Sequence, residues 1–249
     1  MKTISIPPEK GELVVCESPG ELGRQSAEFF ADAASAAVQR AGSFSVAFSG
    51  GSTPVLMYRA LVSADLRDRV PWTKGEYFWS DERCVPPDSP DSNYGLAERE
   101  LLSKVPAPRD RIHRMRGELQ PERAAGEYEQ ELRRVFGNVP LPRFDLMMLG
   151  LGANGHTASL FPDSPALNES RRWVVANYVN ELAAYRLTFT FPVINAARNV
   201  VFVVAGKEKA AALRQVMRGG GTPVPAERVH PTEGRLIWFV EEAAAVEID

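Results

Sequence analysis

Strand-like and helix-like segments alternate from one end of the 249-residue chain to the other. The short apolar runs are typical of buried strands, and the longer stretches between them have the apolar spacing of helices. This alternation predicts an α/β fold with a largely parallel sheet. The predicted strands cover residues 13–15, 44–48, 77–79, 145–149, 186–191, 200–205 and 236–240. The predicted helices cover residues 19–40, 54–62, 93–102, 121–136 and 208–217, and helix 121–136 is polar enough to form a solvated outer face.

Composition limits the classes of protein and partner that fit this chain. Lys and Arg total 29 against 32 Asp and Glu, and this net charge of −3 has no long single-sign run, so we expect no nucleic-acid and no membrane partner. The sequence has no apolar run of about 18 residues and no pattern of a secretory signal, which favours a cytoplasmic protein. Without internal repeats or a linker, residues 1–249 are expected to form a single domain. Cys16 and Cys84 belong to no metal-ligand spacing, so we expect no metal.

The loops that follow predicted strands are the places to look for a site, because parallel sheets bind ligands beyond the carboxyl ends of their strands. The segment Ser49-Gly50-Gly51-Ser52-Thr53-Pro54 follows strand 44–48 and opens a helix. Its glycines let the backbone approach a ligand, and the helix N-terminus with two further hydroxyl groups favours an anion. We predict a phosphate-binding loop, although a tight turn with Thr53 as N-cap explains the same residues. No lysine of a nucleotide P-loop follows it.

The same segment is also similar to the strand-to-helix elbow of serine hydrolases, with Ser49 as the nucleophile. That alternative needs an acid and then a histidine further along the chain, and Asp145 with His156 or His230 could formally supply them. Pro54 and the two further hydroxyl groups fit a phosphate-binding loop better.

Charged residues follow the next predicted strand, in Ser80-Asp81-Glu82-Arg83. A guanidinium at a strand end can bind an anionic group, and the carboxylates can orient it or bind sugar hydroxyls. A solvated charged turn is the alternative reading.

A glycine-rich loop runs from Gly150 to Pro162, after strand 145–149. Its GxGxxG spacing is typical of dinucleotide sites, but Pro162 stops the helix early and no strand with a terminal acid follows. The loop contains His156, one of three histidines in the chain. A neutral imidazole is available near pH 7, so His156 is the candidate base, whereas His113 and His230 are expected to be loop or packing residues.

Two cationic positions lie at the ends of later strands. Arg186 opens strand 186–191, and Lys207 and Lys209 lie where a strand end meets a helix start. A cation directed at the phosphate-binding loop would supply charge that serine, threonine and backbone groups lack, although surface lysines are common.

Six segments occur in one order over nearly the whole chain: SGGSTP at 49–54, SDER at 80–83, SN at 92–93, GLGANGHTASLFP at 150–162, RLTFT at 186–190 and GKEKA at 206–210. This combination closely resembles the 6-phosphogluconolactonase family, and VHPTEGRLIWFVEEAA at 229–244 is similar to the family's C-terminus. The related glucosamine-6-phosphate deaminases share several of these segments but differ after the loop histidine.

The resemblance implies hydrolysis of 6-phospho-D-glucono-1,5-lactone to 6-phosphogluconate in the oxidative pentose phosphate pathway. It implies a Rossmann-like, doubly wound, mostly parallel sheet with helices on both faces, and no cofactor. The partner would be a small phosphorylated sugar lactone, bound by a monomer or weak homodimer. The implied catalytic residues are His156, Asn154 and Asp81, with His156 as the base that activates water. The implied substrate- and phosphate-binding residues are Ser49, Gly50, Gly51, Ser52, Thr53, Arg83, Arg186 and Lys209.

Asn154 departs from the family pattern, in which an aspartate usually stands two residues before the histidine. An aspartate could orient the imidazole and raise its basicity, whereas an amide can hold the ring but carries no charge. This change disfavours a deaminase or isomerase, because that reaction uses the acid more directly. A glucosamine-6-phosphate deaminase-like enzyme and a non-catalytic sugar-phosphate-binding protein are the alternatives.

Overall fold

Residues 6–248, which the computed structural model describes, form an α/β structure with two sheets. The strands are β1 (Glu12–Cys16), β2 (Phe44–Phe48), β3 (Gly75–Trp79), β4 (Asp81–Arg83), β5 (Leu146–Leu149), β6 (Val174–Val179), β7 (Ala184–Phe189), β8 (Asn199–Val204) and β9 (Arg235–Glu241). The helices are α1 (Pro19–Ala41), α2 (Thr53–Leu61), α3 (Asn93–Glu100), α4 (Pro121–Phe136), α5 (Phe191–Asn195), α6 (Ala210–Arg218) and α7 (Glu242–Ala245). Among these described residues, no helix is both long and apolar enough to cross a membrane.

The larger sheet has the strand order β1-β9-β8-β5-β2-β3, and all of its neighbouring strands are parallel. From β2 the chain moves outward to β3 and then returns past β2 to β5, after which it continues through β8 and β9. The direction of winding therefore reverses between β2 and β5. This confirms the doubly wound α/β fold, and such a reversal is where open parallel sheets place their ligand cleft.

Helices cover both faces of the larger sheet because its central strands are buried on both sides. Phe44, Val46 and Phe48 pack in one apolar cluster with α1, α2 and α3. Ala47, on the same strand, packs in the opposite cluster with α4, α6, α7 and the smaller sheet. Side chains on a strand alternate between faces, so one short apolar run contributes to two cores.

The smaller sheet is antiparallel, has the order β4-β7-β6, and differs from the sequence-based prediction. The segment 80–83, predicted as a loop, contains strand β4, and no strand was predicted for 174–179. The predicted strand 186–191 is β7, which ends at Phe189 and belongs to this antiparallel sheet instead of the parallel one. Such short strands exist through pairing with distant segments, which a local pattern does not reveal.

Helix α4 has the solvated face with the ion pairs that its polar sequence predicts, but its other face is buried, including Glu129, which was expected on the solvated side. Glu129 is only 8% exposed, and its carboxylate accepts hydrogen bonds from Arg133 (3.0 Å), Arg172 (2.8 Å) and the Trp173 backbone N–H (3.0 Å). One face of α4 therefore packs on the smaller sheet and is fixed there by a buried, fully paired carboxylate.

Candidate active site

A cleft of about 460 Å³ lies at the carboxyl ends of β2 and β5, where the winding reverses. Its walls come from the loops after these two strands, the β4–β7 pair, the β6–β7 hairpin and the turn before α6. Every predicted site residue except Asn154 lines the cleft: Ser49, Gly50, Gly51, Ser52, Thr53, Asp81, Arg83, His156, Arg186 and Lys209. The structure thus brings together segments that are far apart in the sequence.

One end of the cleft is the N-terminus of α2. Gly51 has φ +93°, a conformation that favours glycine, and Ser52 is the N-cap without a side-chain cap hydrogen bond. Helices α1, α3 and α4 are instead capped by the side chains of Ser18, Ser92 and Gln120. The N–H groups at the start of α2, where Pro54 has none, therefore lack a side-chain acceptor from the N-cap, which suits an anionic ligand in the cleft that these residues line.

Three cationic side chains line the same cleft. Arg83 and Arg186 are direct register partners across the antiparallel strands β4 and β7. Burial, followed by the charge of Arg83, lowers the pKa of Arg186. Lys209 adds a third charge from the turn before α6, and its Nζ lies 4.0 Å from Glu208 Oε1. Like charges on paired residues repel each other, so this wall favours an anion that contacts both guanidinium groups.

Asp81 lies on the floor of the cleft and is only 7% exposed. Its Oδ2 accepts a hydrogen bond from Ser159 Oγ (2.7 Å), and its Oδ1 accepts one from Asn93 Nδ2 (3.3 Å). Burial raises the pKa of Asp81, against the opposing effects of Arg83, Ser159 and Arg186. Ser159 belongs to the glycine-rich loop, but nothing in its local sequence distinguishes it from its neighbours as a partner of Asp81.

Glu82, the other carboxylate of the charged segment, serves the fold instead of the cleft. It accepts hydrogen bonds from the backbone N–H groups of Arg83 (2.8 Å), Asn93 (2.7 Å) and Tyr94 (2.8 Å), and from Ser92 Oγ (3.1 Å). A buried carboxylate at a helix N-terminus is stabilised by such donors and by the helix dipole. Glu82 thereby joins β4 to the start of α3.

His156 is held on three sides. Its Nδ1 lies 2.6 Å from Asn154 Oδ1, and the same oxygen accepts a hydrogen bond from the His156 backbone N–H (3.1 Å). The imidazole stacks on Phe161, with ring centroids 4.0 Å apart. A Cβ atom added at Gly152 would overlap the imidazole, so glycine at this position permits the close approach of loop and ring.

The hydrogen bonds assign the tautomer of His156. An amide oxygen can only accept, so Nδ1 carries the proton and Nε2 has the free lone pair. Burial, followed by the charges of Lys209, Arg83 and Arg186, lowers the pKa of His156 to about 4. The ring is therefore neutral near pH 7 and its Nε2 can accept a proton.

The competing site assignments do not fit this geometry. For a serine hydrolase, Asp145 would have to orient His156 as the triad acid. Asp145 instead precedes β5, at the opposite end of the sheet from the cleft, and binds Arg40 and the Ser45 backbone N–H (2.9 Å). No helix follows the glycine-rich loop, where a dinucleotide site would need one. Within residues 6–248, no group of three or more His, Cys, Asp or Glu side chains could hold a metal ion.

The other two histidines lie outside the cleft lining. His113 is buried, with its ring nitrogens 2.8 Å from Glu76 and 2.7 Å from Glu131, and it stacks on Phe78. His230 is exposed. The prediction that both are packing or loop residues is confirmed.

Comparisons with known proteins agree with this fold. The family model described as glucosamine-6-phosphate isomerases/6-phosphogluconolactonase matches residues 17–238. The human 6-phosphogluconolactonase is 39% identical over 96% of this chain and 94% of the human protein. The chloroplastic 6-phosphogluconolactonase 3 of Arabidopsis thaliana is 38% identical over 95% of this chain and 75% of the plant protein.

Among solved structures, the 6-phosphogluconolactonase from Trypanosoma cruzi superposes with a TM-score of 0.84 at 28% identity, covering 96% of this chain and 97% of the parasite chain. The sequence and structural matches extend over nearly the whole described chain. The protein belongs to the glucosamine-6-phosphate isomerase/6-phosphogluconolactonase family.

Proposed function

We propose that this protein hydrolyses 6-phospho-D-glucono-1,5-lactone to 6-phospho-D-gluconate, the lactonase step of the oxidative pentose phosphate pathway. The observation that carries the proposal is His156, whose Nδ1 is held by Asn154 at 2.6 Å while its neutral imidazole lines a cleft with three cations. A base beside an anion-binding wall is what a phosphorylated, hydrolysable substrate requires.

The substrate phosphate binds at the N-terminus of α2, on the segment 49–53, with Arg186 and Lys209 as cationic partners. The uncapped N–H groups of α2 and the positive charges of the facing wall support this position. Arg83 faces the substrate from β4. Binding energy from the phosphate, remote from the reacting carbonyl, orients carbon 1 next to His156.

His156 Nε2 takes a proton from water while the water oxygen forms a bond to the lactone carbonyl carbon. The bond between that carbon and the ring oxygen then breaks, and the imidazolium returns its proton to the ring oxygen, which becomes a hydroxyl group. The new carboxylic acid releases a proton to solvent. Asn154 keeps the Nδ1 proton in place throughout, so that Nε2 is the nitrogen that reacts.

Asp81 binds a substrate hydroxyl group. Its carboxylate lines the cleft and accepts a hydrogen bond from Ser159, and its two oxygens have further accepting capacity for a donor in the cleft. This contact orients the sugar ring relative to His156.

A lactone-hydrolysis assay on freshly generated substrate, corrected for spontaneous opening in buffer, tests the proposal. We expect His156→Ala to lower kcat by about 10²- to 10⁴-fold, the usual contribution of a general base. His230→Ala, at an exposed histidine outside the cleft, is the matched control and should keep its rate. A kcat of His156→Ala within a few fold of wild type would exclude His156 as the base.

A deaminase assay and a binding measurement, run beside the lactonase assay, separate the alternatives. Deamination of glucosamine-6-phosphate in place of lactone hydrolysis would identify a deaminase-like enzyme. Binding of a sugar phosphate without acceleration of either reaction would identify a non-catalytic binding protein. The cytoplasmic location and the monomeric or weakly dimeric state expected from the sequence are also part of the proposal, and sedimentation of the purified protein measures the second.

A further inference from the structure

The hairpin between β6 and β7 brings a carboxylate to the residue that holds His156. The chain turns through Asn180–Leu182 and enters β7 after Ala183, whose φ is +48°. In this turn Glu181 lines the cleft, and its Oε1 accepts a hydrogen bond from Asn154 Nδ2 (2.9 Å). Asn154 Oδ1 in turn accepts from His156 Nδ1 (2.6 Å). Two hydrogen bonds therefore connect the Glu181 carboxylate to the imidazole.

Glu181 and the His156 backbone N–H together determine which way the Asn154 amide points. The amide oxygen accepts two bonds from His156, and the amide nitrogen donates to the carboxylate. With the amide rotated by half a turn, its NH₂ group would face the Nδ1 side of the ring and its oxygen would face a carboxylate, so donors would no longer meet acceptors. The observed orientation requires the proton on Nδ1, so Glu181 also selects the tautomer of His156.

Three cations of the cleft act against the basicity of His156, and the Asp81 carboxylate on the cleft floor is hydrogen-bonded to Ser159 and Asn93 instead of to the ring or its amide partner. Lys209, Arg83 and Arg186 all lower its pKa, as does burial. Phe161 covers one ring face without charge, and the Glu208 carboxylate lies elsewhere in the cleft wall, next to Lys209. Glu181 is the carboxylate connected to the ring by hydrogen bonds, through the Asn154 amide.

We infer that Glu181 is a positioning residue: it orients the Asn154 amide, holds His156 with a free Nε2, and supplies through the amide the negative charge that Asn154 itself lacks. This inference rests on the proposed role of His156 as the base. Partners of this kind fix the orientation and protonation of a histidine without touching the substrate.

The test compares Glu181→Ala with Glu181→Gln. Loss of the acceptor in Glu181→Ala frees the amide, so we expect kcat to fall on the order of tenfold or more with a smaller change in KM. Glutamine keeps an acceptor for Asn154 but removes the charge, so Glu181→Gln should lose less activity while the acid limb of kcat/KM moves to lower pH. Glu208→Gln is the control: it removes a carboxylate from the same cleft and keeps the hydrogen bond between Glu181 and Asn154. It should therefore shift the acid limb of kcat/KM less than Glu181→Gln does.

Asn154→Asp provides the decisive second background. An aspartate accepts directly from His156 and needs no orienting partner, so we expect Glu181→Ala to cost less than about twofold in the Asn154→Asp protein. Nitrogen-15 NMR of His156 supplies a readout independent of activity: Nδ1 should be protonated in wild type and Glu181→Gln, and Glu181→Ala should show a mixture of tautomers.

Three results would each overturn the inference. The first is an unchanged His156 tautomer in Glu181→Ala, and the second is an equal loss of kcat from Glu181→Ala in the wild-type and Asn154→Asp proteins. The third is a shift of the acid limb of kcat/KM in Glu208→Gln that equals the shift in Glu181→Gln. Failure of the proposed function is a separate outcome, since wild type would then not accelerate lactone hydrolysis, and failure of the base assignment appears as full activity of His156→Ala. Glu181 is exposed, and thermal unfolding of each variant checks that the fold is intact.

Discussion

His156 could be found from the sequence because it stands in a glycine-rich loop directly after a buried strand. Its surroundings could not be found in that way. The position of Asn154 two residues before the histidine indicates a local contact, and the structure places the amide 2.6 Å from Nδ1. The partner of that amide, Glu181, comes from a hairpin far along the chain whose first strand no local pattern predicts. At this scale, sequence identifies the candidate base, and only the fold identifies which groups hold it.

The pKa of His156 leads to a prediction about pH dependence. The pKa of about 4 belongs to the free enzyme, so kcat/KM should be constant near neutral pH and fall as the pH drops through about 4, where the imidazole becomes protonated. A bound phosphate offsets the charges of Lys209, Arg83 and Arg186, which raises the pKa of His156 in the complex. The acid limb of kcat should therefore lie at higher pH than that of kcat/KM.

Rates measured from pH 3.5 to 8 give both limbs, and circular dichroism at each pH identifies any unfolding. Coincident limbs, or a kcat limb at lower pH, would contradict a phosphate bound next to the three cations.

Among the secondary-structure elements, those with a strong local pattern were predicted and those made by long-range pairing were not. Strand β2 is apolar on both faces and coincides with its predicted bounds. Strand β4 consists of three charged residues, and its identity as a strand depends on pairing with β7. The same pairing sets Arg83 opposite Arg186, so the element that sequence missed is also the one that assembles the cationic wall.

The β4–β7 pair predicts that loss of Arg186 weakens substrate binding without lowering the thermal stability of the protein. Arg186→Ala removes a charge-assisted contact with the substrate, so KM should rise about 10- to 100-fold, as expected for a loss of ~1.5–3 kcal/mol. The Tm should stay the same or rise, because Arg83 no longer faces a like charge. Inorganic phosphate should raise the Tm of wild type more than that of Arg186→Ala.

Arg59→Ala is the control for this prediction, since Arg59 is an exposed arginine on α2 paired with Glu100 outside the cleft. It should change neither KM nor the response to phosphate. A large fall in the Tm of Arg186→Ala would mean that this arginine holds the two strands together.

At the scale of the whole molecule, the cleft depends on both sheets and both apolar clusters. The loops after β2 and β5 supply His156 and the segment 49–53, for which we propose phosphate binding, while the smaller sheet supplies Arg83 and Arg186. The largely parallel α/β class followed from the alternation of strand and helix patterns, which is a general rule. The packing of the smaller sheet on α4 did not, because it depends on buried contacts such as that of Glu129 with Trp173.

We propose, from the sequence, that the chain is a single domain, and its tryptophans test this. Trp72 and Trp79 lie in the cluster under α1, whereas Trp173 and Trp238 lie in the opposite cluster. If both faces unfold together, Trp72→Phe/Trp79→Phe and Trp173→Phe/Trp238→Phe should each show a fluorescence transition that coincides with the loss of far-ultraviolet circular dichroism in the same variant. In each variant the two remaining tryptophans report on one face of the sheet. All of the replaced side chains are buried, so both variants should be less stable than wild type. The comparison is therefore made between probes within one variant. A fluorescence midpoint that differs from the circular dichroism midpoint in either variant would show that the two faces of the sheet unfold as separate units.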